Sequence, residues 1–445
     1  MIGFSLTDDL TELKDRISMF VRDKIISYEN DPRNTNHGPS DDLRLELNEL
    51  ARQAGLFTPQ LPEKWGGLGL NHVGTAIALE AAGYSPLGPV ALHCNAPDEG
   101  NMNLLAKVAS DEQCEKWLRP LASGHYRSCF AMTEPGGAGS DPTLSTHAIP
   151  DGEDFIINGR KWFITGAKGS GLMIIMADVP DGYGETPGAT MFLTRPDAPG
   201  IRMIRPMNTM DESFTGGHWE IEFNNLRVHR SEVLGAIGEG FRYVQVRLAP
   251  ARLTHCMRWL GCACRAHDIA LGYARERKAF GKTLGNHEGI GFMLADNEMD
   301  LQQARLLTWW ACDTIDQGGK GRHESSMAKT AVSESLYRVA DRCVQILGGL
   351  GVTDDIIVAQ VFKEIRAFRP IMEWRKLVEA VGLVDTMVYE YGEEDLTDEM
   401  KLEAAQKELA QFDEFQIWGS DFEAEPPPNA TKLDSKYFVK PKVRT

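Results

Sequence analysis

The apolar residues of this chain change period twice, and that double switch limits what it can fold into. From Phe4 to about His125 the spacing is helical, with Leu6, Leu10, Leu13, Ile17, Phe20/Val21 and Ile25 recurring every three or four residues. Thr7 followed by Asp8 and Asp9 predicts a capped helix start, with acids where the helix dipole favours them. Leu61 to Gly69, rich in Gly and Pro, reads as a loop between helices. Near Arg127 the period becomes two. Phe155 to Thr165 places Asn158-Gly159 between β-branched and aromatic runs, which predicts a hairpin turning at that pair. Strands are expected at Met173–Ala177, Thr190–Thr194, Ile201–Ile204 and His218–Asn224, the last with Trp219, Ile221 and Phe223 on one face. From about Gly240 to Val384 helical spacing returns and predicts a helix bundle.

Separate α, β and α blocks argue for stacked units rather than alternating βαβ units, and 445 residues at about 150 per domain fit roughly three. The formal net charge of −17 gives no basic footprint for nucleic acid or an anionic membrane. Most of that charge lies between Glu390 and Glu425, where 13 acids face Lys401 and Lys407. A short helix over about Thr397–Phe412 and a weakly ordered, basic end are expected there. No run approaches the roughly 20 apolar residues of a spanning helix, so no membrane insertion is predicted. Met1 to Leu10 carries no signal or transit pattern, and eight scattered cysteines form no Cys-x-x-Cys pair, which predicts a cytoplasmic protein.

Several chemistries are excluded by spacing. The glycine clusters never complete Gly-x-Gly-x-x-Gly, Glu276 stands where a P-loop needs its first glycine, and no nucleophile elbow or metal-ligand spacing occurs. His255, His287 and Cys256 fall in helical stretches and read as packing residues.

Four segments remain. They are Ala131 to Asp141 (AMTEPGGAGSD), Asn158 to Gly166 (NGRKWFITG), Arg277 to Lys282 (RKAFGK) with Leu294-Ala295-Asp296, and Val344 to Gly351 (VQILGGLG). In this order they resemble the signatures of the acyl-CoA dehydrogenase family. The resemblance implies an α+β multidomain fold: an N-terminal helical domain (1–127), a middle β-barrel-like domain contacting flavin (128–235) and a C-terminal four-helix bundle (236–386), followed here by the acidic tail (387–445). It also implies a homodimer or homotetramer binding FAD at a subunit interface, an acyl-CoA or similar thioester substrate, and an electron-transferring flavoprotein or oxygen as acceptor. By position, Thr133 and Thr165 would hydrogen-bond the flavin ring and Phe163 would pack against it, with Met132 and Ser140 also binding the cofactor. Arg277, Phe280, Gln345, Gly348 and Gly349 would hold the rest of FAD, and Ser140 and Arg252 would line the acyl-CoA side.

The family reaction needs a carboxylate beside the substrate α carbon while hydride leaves the β carbon for flavin N5. Counted without gaps, Met372 occupies the position of that base and Glu373 stands next to it. The glycine and small polar residues that usually follow are replaced by Trp374, Arg375 and Lys376, and the alternative base position is Ala251. Two readings result. In one, an active flavoprotein uses Glu373 as its base; in the other, the scaffold has lost the base and serves another flavin reaction or a non-catalytic binding role.

Overall fold

The computed structural model describes residues 5–136 and 143–369. Ser140, Glu373, Met372 and the acidic tail lie outside the described residues.

The first block is helical. Its longer helices are α1 (Asp8–Phe20), α2 (Asp41–Gln53), α3 (His72–Ala82) and α4 (Asp98–Val108). Side chains cap three of them where the N-terminal amides lack partners: Leu10, Leu43 and Gly74 donate backbone N–H groups to Thr7 Oγ1, Ser40 Oγ and Asn71 Oδ1. α3 is mostly apolar and is buried from Gly74 to Ala82, with Glu80 paired to Arg305.

The middle block is one seven-stranded sheet of β1 (Ser128–Ala131), β2 (His147–Asp151), β3 (Asp154–Thr165), β4 (Leu172–Val179), β5 (Gly188–Thr194), β6 (Ile201–Met207) and β7 (His218–His229). The order is β1-β4-β2-β3-β7-β6, with β5 antiparallel to β4 on its other edge. The sheet is curled. β4 is apolar at both parities because both faces are covered. Met173, Ile175 and Ala177 pack inside the sheet with Phe155 and Phe192, while Leu172, Ile174 and Met176 pack on Met102, Leu105 and Trp117 of the helical block.

The expected hairpin at Asn158-Gly159 does not form. Both residues lie within the continuous strand β3, where pairing with β7 slips between Ile157 and Gly159. The turn comes earlier, at Gly152-Glu153, between Asp151 and Asp154. Gly159 serves close packing instead: a Cβ there would sit 2.6 Å from Thr146 Cα.

The third block has three long helices, α5 (Gly240–Glu276), α6 (Glu288–Asp316) and α7 (Arg322–Leu347), and the shorter α8 (Val358–Phe368). Cys262, Ala266 and Ala270 of α5, Leu301 and Ala304 of α6, Val332, Leu336 and Val339 of α7 and Val361 and Ile365 of α8 share one core. All eight cysteines are free, and seven are buried. Among the described residues no helix is long and apolar enough to cross a membrane, and no group of three His, Cys, Asp or Glu side chains could hold a metal ion.

Candidate functional site

β1 delivers the chain into Met132-Thr133-Glu134, and β3 holds that segment in place. Lys161, fully buried, donates from Nζ to the Met132 carbonyl at 2.9 Å and to Glu134 Oε1 at 2.8 Å. The Trp162 N–H donates to the Thr133 carbonyl at 3.0 Å. Glu134 also accepts the backbone N–H groups of Ser145 and Thr146, so one carboxylate ties both arms of the loop. Burial pushes its carboxyl up, but Lys161 and these N–H donors outweigh that and hold it at about 2. Burial draws the Lys161 ammonium down to about 8, against the pull of Glu134.

The residues that follow on β3, Phe163 and Thr165, form the accessible rim of this segment. Phe163 has φ +53°, a left-handed conformation that an L-aromatic adopts at a cost, and its side chain is 47% exposed. Its N–H meets Met207 Sδ at 3.3 Å. Thr165 is half-buried, with Oγ1 3.0 Å from His218 Nδ1; His218 Nε2 lies 3.0 Å from Asp211 Oδ2. β3 and its neighbours thus bring Met132, Thr133, Phe163 and Thr165 together.

The remaining candidates lie where α5 and α7 end. Arg277 is exposed at the C-cap of α5. Phe280 tips the short hairpin that follows, at φ +50° and 97% exposed. Gln345, Gly348 and Gly349 are exposed where α7 ends, and nothing lies within 4 Å of a Cβ built on either glycine. No hydrogen bond, ion pair or ring contact among the described residues joins this second group to the Phe163 rim.

Arg252 is buried on α5, as is its neighbour Ala251. His255 stacks on Phe368 with centroids 6.1 Å apart, and burial, aided by Arg258, Lys329 and Arg247, drives its imidazole well below the usual range. Cys256 is buried, and His287 Nε2 lies 3.1 Å from the Ala279 carbonyl. In the sequence Glu134 and Lys161 carry no signal beyond their motifs, and His218, Asp211 and Glu364 carry none. Glu364 of α8 is buried and accepts the Glu212 N–H at 2.7 Å and the Ser213 hydroxyl at 3.0 Å. Burial pushes its carboxyl up to about 8. A strand pairing of β3 with β7 would have placed His218 opposite Thr165, but the register is invisible without the bulges.

Residues 7–125, 129–226 and 238–372 match, in order, the N-terminal, middle and C-terminal domains of acyl-CoA dehydrogenase. The Mycobacterium tuberculosis protein FadE2, named as an acyl-CoA dehydrogenase, is 34% identical over 380 residues, covering 83% of this chain and 93% of its own. The chain belongs to the acyl-CoA dehydrogenase family. Acyl-CoA dehydrogenase family member 11 of Gallus gallus is 36% identical over 336 residues, 73% of this chain; the chain spans 42% of that longer relative. A solved Mycobacterium abscessus structure described as of the acyl-CoA dehydrogenase type superposes with a TM-score of 0.78 at 32% identity, over 85% of this chain and 99% of that one. The acyl-CoA dehydrogenase fold therefore accounts for the helical first domain, the curled middle sheet and the helical third region.

Proposed function

We propose that this chain is an FAD-dependent oxidoreductase acting on the CH–CH group of an acyl-CoA or related acyl thioester, in fatty acid metabolism. The observation that carries the reading is the rim held by Lys161 and Glu134, where an exposed aromatic ring kept in a strained conformation precedes by two residues the half-buried Thr165 hydroxyl. FAD, the family cofactor, supplies a two-electron acceptor at its ring N5 when bound.

The residues present fit that group. Phe163 offers a flat apolar surface, and Thr165 and the backbone at Met132 and Thr133 offer polar contacts at one edge. Arg277 offers a guanidinium to a pyrophosphate, Phe280 offers a ring to an adenine, and Gln345 would cradle the rest together with Gly348 and Gly349, which leave room for close backbone approach. The exposure of Arg277, Phe280, Gln345, Gly348 and Gly349 supports a site completed by a second copy, in a homodimer or homotetramer. We assign Ser140 and Arg252 to the thioester side and Glu373 to the base that takes the α proton as hydride leaves the β carbon. We keep the partition at 127, 235 and 386 and read the third domain as a four-helix bundle. An electron-transferring flavoprotein is the proposed acceptor, and the eight free cysteines fit a cytoplasmic location.

The test is a visible spectrum of the purified protein with and without a mixed pool of acyl-CoA thioesters. A yellow protein bleached by the pool, with bleaching abolished in Glu373→Gln, is the expected result. Bound flavin that no acyl-CoA bleaches would overturn the dehydrogenase assignment, and undiminished bleaching in Glu373→Gln would remove Glu373 from the mechanism.

A further inference from the structure

Thr165, His218 and Asp211 form a chain of two 3.0 Å hydrogen bonds running inward from the rim. The direction of each bond is set by what its members can do. A carboxylate only accepts, so His218 Nε2 carries a proton toward Asp211. Burial raises the Asp211 carboxyl, but the His218 and Thr209 bonds outweigh it and leave Asp211 below its ordinary range, ionised at neutral pH. In neutral imidazole the other nitrogen, Nδ1, is then an acceptor, so the Thr165 hydroxyl donates inward and turns its lone pairs to the rim. Once His218 is doubly protonated, Nδ1–H donates to Thr165 Oγ1, and the hydroxyl proton is released toward the rim.

We propose that His218, backed by Asp211, is a positioning residue that decides whether Thr165 offers the cofactor a hydrogen-bond donor or an acceptor. The inference rests on the reading of the rim as an FAD site. A ring nitrogen that accepts when oxidised and donates when reduced prefers Thr165 as a donor before reduction, with His218 doubly protonated, and as an acceptor after it, with His218 neutral. The two protonation states of His218 therefore match the two oxidation states of such a ring, and His218 holds its proton more tightly beside the oxidised form.

The surroundings place few charges directly on His218. The Phe214 ring packs edge-on at 5.5 Å, and His37 lies against Gly217. Arg127 is engaged by the Gly166 and Thr215 carbonyls and by Asp41, and Lys168 lies over Trp219. Beyond Asp211, Glu212 is paired with Lys363, and Glu364 is held by the backbone of Glu212 and by Ser213. Asp211 is thus the charged group that contacts the imidazole.

The test is the visible spectrum of the FAD-loaded protein, titrated from about pH 5.5 to about 8.5 in the oxidised and the reduced state. The native protein should show a one-proton inflection that lies at higher pH in the oxidised form. His218→Gln should abolish it. Thr165→Val should abolish it with His218 intact. The valine variant decides the matter even where the glutamine variant fails to fold. An inflection that survives Thr165→Val or His218→Gln, or a flat native titration, overturns the assignment while leaving the FAD reading intact. A folded protein that takes up no FAD overturns both.

Discussion

Lys161 and Glu134 lie 2.8 Å apart with almost no access to water, and their pairing fixes the Thr133 segment against the strand that carries Phe163. Removing one partner leaves the other as an uncompensated buried charge. Lys161→Met should therefore destabilise the protein by about 3–5 kcal/mol. The double variant Lys161→Met/Glu134→Leu should recover part of that loss, because no lone charge remains. Urea unfolding of the three proteins measures both effects, and a double variant worse than the single one would refute the account.

Glu364 yields a pH prediction. Its folded pKa of about 8 lies above the unfolded carboxyl value, so between the two the folded state binds more protons than the unfolded state. Stability from this group is fully present below the unfolded value and is lost as pH rises toward 8. Glu364→Gln keeps an acceptor for the Glu212 N–H and removes the titration. The variant should be the more stable form near pH 8 by up to a few kcal/mol, with the difference shrinking toward pH 4. Thermal melts across that range check it.

Phe163 predicts opposed effects on folding and on binding. Glycine there relieves a left-handed strain of about 1–2 kcal/mol, so Phe163→Gly should fold with unchanged or slightly greater stability. Losing the ring removes an aromatic contact of about 0.5–1.5 kcal/mol, and FAD affinity should fall up to about tenfold. Equilibrium dialysis with FAD beside a melting curve separates the two.

The two glycines after α7 should behave differently. A Cβ at Gly349 enters open space, so Gly349→Ala should leave stability intact while weakening FAD retention. Gly348 has φ +59° and ψ −132°, and alanine there should cost about 1–3 kcal/mol in folding as well. Flavin content and melting temperature of the two purified variants test the pair.

The order of blocks and the capped first helix were legible because period and caps are local properties. Thr7 accepts from Leu10 N as its position before two acids predicts. Asn158-Gly159 misled for a reason that is not local. A glycine wanted for φ > 0 in a turn and one wanted for close approach to Thr146 look alike in sequence, and Asp151-Gly152 carried the turn signal that counted. Charge logic in the site was hidden for a similar reason. Glu134 and Lys161 stand 27 positions apart, and only the passage of β3 beside the segment that follows β1 shows that they neutralise each other. His218 and Asp211 carry no motif, since a hydrogen-bonded chain can be assembled from any strand that the register brings opposite Thr165.

The distribution of free thiols gives the protein its own record of opening. Cys94 lies in the helical block, Cys129 in the sheet, Cys262 and Cys264 in α5, Cys312 in α6 and Cys343 in α7. Burial pushes the thiols of Cys94, Cys129 and Cys343 up to about 12, so each is inert until its surroundings part. The order in which these sulfurs become alkylated under mild denaturation would rank the regions by the ease with which they come apart, with no label added to the chain.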